Sequence, residues 1–373
     1  MTDVAIYPYL NKMVTEEASD LYLTVGVPPM LRVNDRLHAL SEKALEEADI
    51  QDMLGDILTS RQRREFESRM ELNLAIDMGK DGRFRISVLR QRQYPALVVR
   101  RITGKIPSFE DLHLPKMMEN LALERRGLIL VCGVTASGKS TSLAAMADFR
   151  NKTTGGHIIT IEDPIEFFYE HKRGIVTQRE VGIDTESYHI ALKNALRQKP
   201  DVILVGEIRD REVMEQALIA AETGHLCLST VHANNASQAV ERIINFFPED
   251  RHQQVRIALS MNLRAVISQR LVSSIRGQLV VALEILLNEG LIKEHILKGE
   301  TIKIREVMTL NNSTGMIVFD QSLINLYRAG IISEQTAIAE ADFPTDMKMK
   351  IWQINLAGKG QRSGEIDNSG LSL

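Results

Sequence analysis

The chain has 373 residues, of which 44% are hydrophobic and 25% are charged, and its formal net charge is −4. This length predicts about two domains with separate cores, and the composition is that of a globular rather than a disordered protein. The acidic balance disfavours a broad nucleic-acid surface, and no apolar run reaches the ~18 residues of a membrane helix. The first residues also lack the apolar segment of a secretory signal peptide. Cys132 and Cys227 lie in apolar runs, which predicts two buried thiols.

The first predicted domain covers residues 1–101. Its predicted helices are 10–18 and 44–66, and its predicted strands are 20–25, 31–33, 72–78, 82–88 and 96–102. Because helices and strands do not alternate strictly, the pattern predicts an α+β domain. Pro107 and Pro115 indicate a linker over residues 102–115.

The second predicted domain covers residues 116–345 and alternates short apolar strands with helices. The predicted strands are 128–132, 157–161, 202–205 and 226–231, and helices follow at 237–246, 251–265 and beyond 320. This alternation predicts an α/β fold with a parallel sheet between helices. Residues 346–373 are predicted to form a flexible tail, because the sequence past Gly358 is rich in Gly, Ser and Asp.

A phosphate-binding loop is the clearest motif. Residues 133–140 fit G-x-x-x-x-G-K-[ST] and stand between a predicted strand and a predicted helix, the context that such a loop requires. Gly133 and Gly138 allow the backbone to turn successive N–H groups inward, and the helix N-terminus adds its positive end. We expect Lys139 to reach the β- and γ-phosphates of ATP and the Ser140 hydroxyl to bind Mg²⁺. The alternative is a chance match.

Acidic residues follow two of the apolar strands. Residues 201–207 form an apolar strand that ends in Glu207, which is typical of a Walker B acid that contacts Mg²⁺ partly through water. Residues 162–166 contain three carboxylates after another strand. One is expected to hold the metal and another to polarise the attacking water, but spacing alone does not choose between Glu162 and Glu166. The alternatives are a helix-capping acid for Glu207 and a solvated acidic turn for residues 162–166.

Histidines and arginines complete the candidates. His225 and His232 stand at the two ends of one predicted strand and are candidates for sensing the γ-phosphate, although a single histidine is more often structural. Arg83, Arg85 and Arg100 lie on predicted strands of the first domain. In an oligomer, such arginines can reach the γ-phosphate of a neighbour. The alternative is that they are solvated edge-strand residues.

Four motifs together resemble the secretion-superfamily ATPases, and more narrowly the retraction motors of type IV pili, the PilT/PilU group. The motifs are residues 133–141, 161–167, 198–210 and 221–226, and the resemblance covers nearly the whole chain. Residues 18–22 and 26–30 are similar to the PAS-like N-terminal domain of that family. The resemblance implies this PAS-like domain followed by a RecA-like P-loop ATPase domain with a helical C-terminal part.

The resemblance also implies roles that spacing leaves open. Glu166 takes the catalytic-glutamate position, Glu207 takes the Walker B position, and Glu162 belongs to the same acidic box as Glu166. The other implied positions are Asp163 of that box, His225 and His232 of the histidine box, and Arg83, Arg85 and Arg100, which contact nucleotide across a subunit interface. The loop residues implied to bind ATP are Gly133, Thr135, Ala136, Ser137, Gly138, Lys139, Ser140 and Thr141.

The family forms hexameric rings at the cytoplasmic base of the pilus machine. The resemblance therefore implies a cytoplasmic homo-hexamer, peripheral to the inner membrane, with the inner-membrane platform protein as a partner. Residues 290–299 lack the Ala-Ile-Arg-Asn-Leu-Ile-Arg-Glu segment of the main retraction motors, and the tail past Gly358 is extra. These departures resemble the accessory PilU type, which implies the main retraction ATPase as a further partner. Val134 and Ala136 replace the usual Pro and Gly of the loop.

Two other functions share parts of this pattern. A RecA-like motor that translocates nucleic acid has the same type of phosphate loop, but the acidic balance and the lack of a basic aromatic groove disfavour a nucleic-acid partner. A scaffold that binds nucleotide without turnover is the second alternative. The complete set of acids disfavours it.

Overall fold

The computed structural model describes residues 5–79, 82–102, 106–310 and 315–362. These residues divide into two compact units. The first contains the described residues of Met1–Lys105 together with Asp163–Tyr169 and Arg179–Ser187. The second contains Ile106–Glu162, Glu170–Gln178 and the described residues of Tyr188–Leu373. Two segments from the middle of the chain therefore belong to the first unit.

The first unit is built on an antiparallel sheet. Its strands are β1 (Asp20–Thr24), β2 (Met30–Val33), β3 (Arg36–Ala39), β4 (Glu71–Asp77), β5 (Arg83–Gln91) and β6 (Tyr94–Ile102), and its helices are α1 (Tyr7–Thr15), α2 (Glu47–Ile57) and α3 (Ser60–Arg69). The strand order is β3-β2-β1-β6-β5-β4. Leu10, Ile50 and Phe66 of the helices pack with Leu21 and Phe84 of the strands in one buried core.

The α+β organisation predicted for this region is present, with two differences. The strand prediction misses β3, because the strand has only four residues and all of them are exposed. The single helix predicted over 44–66 is two helices. Leu58 has an extended backbone, and the Thr59 side chain accepts a hydrogen bond from the backbone N–H of Gln62, which starts α3.

The second unit contains most of a seven-stranded sheet. Its strands are β7 (Gly127–Cys132), β8 (Gly156–Glu162), β9 (Gly174–Glu180), β10 (Val202–Val205), β11 (Leu226–Val231), β12 (Leu263–Ser273) and β13 (Leu279–Leu287). The order is β13-β12-β7-β11-β10-β8-β9. The run from β12 to β8 is parallel, and β13 joins β12 in antiparallel register. Every residue of β7, β10 and β11 is buried, as expected for strands covered on both faces.

Helices alternate with these strands and then continue alone. They are α4 (Lys116–Ala122), α5 (Lys139–Thr153), α6 (Tyr188–Ala195), α7 (Arg211–Glu222), α8 (Ala236–Asn245), α9 (His252–Asn262), α10 (Leu291–Lys298), α11 (Thr301–Leu310), α12 (Phe319–Arg328), α13 (Glu334–Ala339) and α14 (Pro344–Arg362). The helix predicted over 251–265 ends at Asn262, because Leu263 already belongs to β12. None of the helices in the described part of the chain combines the length and apolar character that a bilayer crossing requires.

Two segments differ from their predicted character. A helix, α14, replaces the flexible chain predicted from 346, and Met347 and Ile351 bury its inner face in a core that also contains Phe319. Residues 363–373 of that predicted tail lie outside the described residues. In the predicted linker, Phe109 is buried and its ring meets Phe149 edge to face with centroids 5.1 Å apart. The part of the linker after residue 105 therefore packs with the second unit.

Candidate functional site

The phosphate loop connects β7 to α5. Ala136 and Gly138 have φ values of 62° and 85°, and Gly133 has a φ of 154°. A Cβ atom on Gly133 would collide with Ser137 Oγ and lie 2.5 Å from the backbone oxygen of Gln269. Both the left-handed backbone and the close approach therefore require glycine at the start of the loop.

Lys139 begins α5 and is folded back over the loop. Its Nζ donates to the backbone oxygens of Gly133, at 3.0 Å, and Val134, at 2.8 Å, and the residue is buried. Ser140 and Thr141 follow in the first turn and remain partly exposed. The lysine charge thus lies at the N-terminus of a helix, where backbone N–H groups also favour an anion.

A buried hydroxyl without a partner indicates that the loop fits a phosphate group. Ser137 Oγ is buried and has no hydrogen-bond partner among the described residues. A cavity of about 690 Å³ borders residues 133–135 and His232, and another of about 570 Å³ borders Ser137 and Gln269. Volumes of this size accommodate small-molecule ligands. The orphaned hydroxyl is a donor that a phosphate oxygen would satisfy.

The carboxyl ends of four neighbouring parallel strands bring the candidate side chains of this unit together. The loop follows β7, His232 follows β11, Glu207 follows β10, and Glu162 ends β8. Glu207 Oε1 lies 3.0 Å from His232 Nε2, and Glu207 Oε2 accepts a hydrogen bond from Arg209 Nε at 2.8 Å. The sheet edge therefore collects the loop lysine, two acids and a histidine, the grouping that the sequence predicted for these residues.

The Glu162 carboxylate accepts hydrogen bonds from side chains of its own unit. Its Oε1 accepts a hydrogen bond from Thr160 Oγ1 at 2.6 Å and lies 3.4 Å from Gln178 Nε2. Sequence reasoning missed Gln178. Among the described residues, no cluster of three or more His, Cys, Asp or Glu side chains is arranged to hold a metal ion. A Mg²⁺ ion at Ser140 and Glu207 would therefore take its remaining ligands from phosphate and water, as Mg²⁺ usually does.

His225 lies at the other end of β11. Its backbone oxygen accepts from Gly127 at the start of β7, and its Nδ1 faces the backbone oxygen of Ala220 at 3.2 Å and Thr223 Oγ1 at 3.1 Å. A six-residue strand is about 20 Å long. The strand therefore holds His225 and His232 at opposite edges of the sheet, and their sensing of the γ-phosphate stays a prediction.

A buried glutamine supports the loop from the neighbouring strand. Gln269 of β12 is fully buried, and its Nε2 donates to the backbone oxygen of Ser137 at 2.7 Å. Sequence reasoning missed this residue. The available signal was a polar pair, Ser268 and Gln269, directly after the apolar residues Ala265, Val266 and Ile267. Ser268 Oγ lies 2.8 Å from Cys132 Sγ, and burial raises the pKa of that thiol to about 12.

Glu284 of β13 is a buried acid in the second unit. Its Oε1 accepts a hydrogen bond from the backbone N–H of Ala236, the first residue of α8, at 2.7 Å. Burial raises the pKa of Glu284, and the Ala236 N–H opposes that shift. The carboxyl group therefore satisfies a helix N-terminus while being harder to ionise than a solvated acid.

In the first unit, Arg83, Phe168 and Glu180 form a second group. The Arg83 guanidinium lies 5.5 Å from the centroid of the Phe168 ring, and its Nη2 is 3.7 Å from Glu180 Oε2. Burial raises the pKa of Glu180, opposed by the charge of Arg83 and by the backbone N–H of Ile165. Glu166, the next residue after Ile165, is exposed. Sequence reasoning missed Glu180, although an acid at a strand end was the available signal.

Of the other predicted residues of this unit, Arg85 also acts on Glu180, since its positive charge opposes the rise in the pKa of that acid. Asp163 is exposed and precedes a cis proline. Arg85 and Arg100 are cross-strand neighbours in β5 and β6. Arg100 Nε donates to Asp20 Oδ1 at 2.8 Å, yet 70% of the Arg100 side chain is exposed. Arg100 therefore has a partner in its own chain and an open face toward solvent.

Comparison with known proteins identifies relatives along most of the chain. A family described as type II/IV secretion system protein matches residues 5–341. The type IV pilus ATPase PilU of Pseudomonas aeruginosa is 48% identical over 343 residues, 92% of this chain and 90% of that protein. The type IV pilus retraction ATPase PilT of the same organism is 39% identical over 327 residues, 88% of this chain and 95% of that protein.

A solved structure of a relative also resembles the chain. The crystal structure of the pilus retraction motor PilT with bound ADP has a TM-score of 0.84 at 37% identity, and the match covers 94% of this chain and 100% of that chain. That protein binds a nucleotide and shares its mixed α/β fold with this chain.

Proposed function

The chain belongs to the type II/IV secretion system protein family, and from this premise we propose that it is a motor ATPase that couples ATP hydrolysis to retraction of type IV pili. The observation that carries the proposal is the phosphate loop with Lys139 folded over it, beside Glu207 and His232 at the same sheet edge. The relatives PilU and PilT, which are named as type IV pilus ATPases, support the choice of pilus retraction.

In this proposal the loop and the first turn of α5 bind ATP. Lys139 stabilises negative charge on the transferring phosphate, and the backbone N–H groups after Gly133 bind the other phosphates. Ser140 and Glu207 hold Mg²⁺, which when bound neutralises charge on the phosphate oxygens. Glu207 follows β10, the phosphate loop follows β7, and β11 lies between these two strands. Strands separated by one neighbour are about 10 Å apart, so a water between Glu207 and the ion would suit this spacing.

The hydrolytic step needs a group that orients water. We assign that role to Glu166, with Glu162 and Asp163 completing the acidic box. His232 holds Glu207 in position through its 3.0 Å contact. Arg83, Arg85 and Arg100 belong to a unit without a phosphate loop of its own, so their targets are phosphates bound by a neighbouring subunit.

The same arginines motivate a ring. We propose a homo-hexamer at the cytoplasmic base of the pilus machine, peripheral to the inner membrane and in contact with its platform protein. The N-terminal domain, residues 1–101, is proposed to be PAS-like, and a linker over 102–115 leads to a RecA-like domain over 116–345. The PAS-like and RecA-like assignments rest on the sequence resemblance, and the boundaries rest on the predicted helices and strands and on Pro107 and Pro115.

An accessory role distinguishes this chain from the main retraction motor. The chain is 48% identical to PilU and 39% identical to PilT. Helix α10 carries Leu291–Lys298 where the main motors have their Ala-Ile-Arg-Asn-Leu-Ile-Arg-Glu segment. We therefore propose that the protein hydrolyses ATP but transmits force together with the main retraction ATPase.

The nucleotide assignment is tested with Lys139→Ala. We expect steady-state phosphate release to fall at least ~10²-fold, because a charge that stabilises the transferring phosphate is lost. Lys152→Ala is the matched control, since Lys152 is an exposed lysine on the same helix. Turnover of Lys139→Ala within a few-fold of the parent would contradict the assignment.

The accessory role is tested by imaging pili in a strain that lacks the main retraction motor and expresses this protein. We expect retraction to be rare or absent there, and to return when the main motor is restored. Retraction at normal frequency without the main motor would show that this protein engages the pilus machine independently.

A further inference from the structure

Glu180 is a buried acid that the proposed mechanism does not use. It ends β9 and is only 3% exposed, and its Oε2 has no hydrogen-bond partner in the described part of the chain. A buried carboxylate without compensation is costly, so its charge needs a nearby cation. Arg83 Nη2 lies 3.7 Å away, which is within ion-pair distance but longer than a hydrogen bond.

Glu180 also contacts the segment that carries Glu166. The backbone N–H of Ile165, the residue before Glu166, donates to the Glu180 carboxyl group. Phe168 of the same segment packs its ring against the Arg83 guanidinium, 5.5 Å from the centroid. One carboxylate therefore links Arg83 to the backbone beside Glu166, and the Phe168 ring is a second contact between Arg83 and the same segment.

We propose that Glu180 is a positioning residue that holds Arg83 and the segment carrying Glu166 in their working geometry. The catalytic part of this inference rests on the proposed function, which gives Arg83 and Glu166 their roles. Glu180 acts through its charge on Arg83 and through its hydrogen bond with Ile165, and it does not contact nucleotide. Because small displacements of catalytic groups lower the rate more than they weaken binding, its loss affects kcat more than KM.

The first experiment compares Glu180→Gln with the full-length parent. This substitution keeps the side-chain shape and an acceptor for Ile165 but removes the charge that faces Arg83. We expect kcat for ATP hydrolysis to fall by about 10–10²-fold and KM to change by less than about threefold. Glu186→Gln, an exposed acid in the same segment of the first unit, is the matched control and should leave both constants unchanged. Glu180→Asp, which retains the charge, should recover part of kcat.

A double-mutant cycle separates positioning from a general effect on folding. If Glu180 acts through Arg83, the double variant Glu180→Gln with Arg83→Gln should have a kcat close to that of Arg83→Gln alone. A purely structural role predicts losses that multiply. A kcat for Glu180→Gln within about twofold of the parent, or multiplying losses in the double variant, would overturn the proposal.

Hydrogen exchange tests the same inference without any turnover. In Glu180→Ala the Ile165 N–H loses its acceptor, and we expect peptides that cover residues 163–169 to exchange about 3–10-fold faster. Glu186→Ala should leave them unchanged. Unchanged exchange in Glu180→Ala would refute the positioning role even if the parent hydrolysed ATP. If Glu180→Ala exchanged faster but the parent showed no ATP turnover, the contact between Glu180 and Ile165 would be supported and the proposed ATPase activity would be rejected.

Discussion

The two groups of functional side chains in this protein are assembled in opposite ways. The phosphate loop is one continuous stretch, and its backbone, its lysine and its helix N-terminus come from neighbouring residues. The group around Arg83 draws Phe168 and Glu180 from two further segments of the chain. The phosphate loop is therefore specified by a few neighbouring residues. The group of Arg83, Phe168 and Glu180 forms only after distant segments of the chain have packed together.

The largest expected effect comes from neutralising two acids, Glu166 in the first unit and Glu207 beside the phosphate loop. Glu166→Gln should lower turnover by about 10²–10⁴-fold while ATP still binds in the presence of Mg²⁺, because the loop is intact and only the orientation of water is lost. Glu207→Gln should weaken Mg²⁺-dependent binding as well. Steady-state kinetics and a fluorescent-nucleotide titration of both variants measure the difference. Equal loss of binding in the two variants would assign Glu166 to the metal rather than to water.

Sequence patterns predicted the region around the loop well for a physical reason. The strands over 128–132, 202–205 and 226–231 are confirmed, since buried parallel strands leave uninterrupted apolar runs. Their polar character in strand-like runs marked Gln269 and Glu180 in the sequence, but their contact partners could not be predicted, because these depend on which segments become neighbours. The placement of His225 and His232 at the two ends of one strand was predicted, and the strand is β11.

A smaller effect concerns the steric basis of the loop. Gly133→Ala should lower the free energy of unfolding by about 1–3 kcal/mol more than Gly224→Ala, because the new methyl group meets Ser137 and Gln269. Gly224 is a matched control with a φ of +100° and no atom within 4 Å of an added Cβ. Denaturant unfolding of both variants measures the difference. Equal losses would mean that backbone angle alone, and not packing, selects glycine at position 133.

The smallest effect concerns a buried acid in the second unit, for comparison with Glu180 in the first. The raised pKa of Glu284 means that its contribution to stability is fully present below the unfolded pKa and is lost as pH rises through the folded pKa. Glu284→Gln removes this dependence. The groups that act on Glu284 are Ala236 N–H, Arg305, Asp342 and Arg270.

The melting temperature of Glu284→Gln minus that of the parent should therefore become more positive as pH rises above ~4.3, the ordinary pKa of a glutamate. The exposed Glu289, just past the end of the same strand, supplies the control variant Glu289→Gln. A difference that stays constant or falls with rising pH would contradict the direction of the Glu284 shift.

The first unit is discontinuous in sequence, and this limits how the protein can be divided. Phe168 and Glu180 follow the phosphate loop along the chain but belong with Arg83. A polypeptide that stops between residues 102 and 116 would carry Arg83 without either of these neighbours. If only the N-terminal part were exchanged between relatives, Arg83 would come from one parent, and Phe168 and Glu180 would come from the other. For recombination, natural or engineered, the smallest piece that preserves this contact set extends from the N-terminal sheet through Glu180.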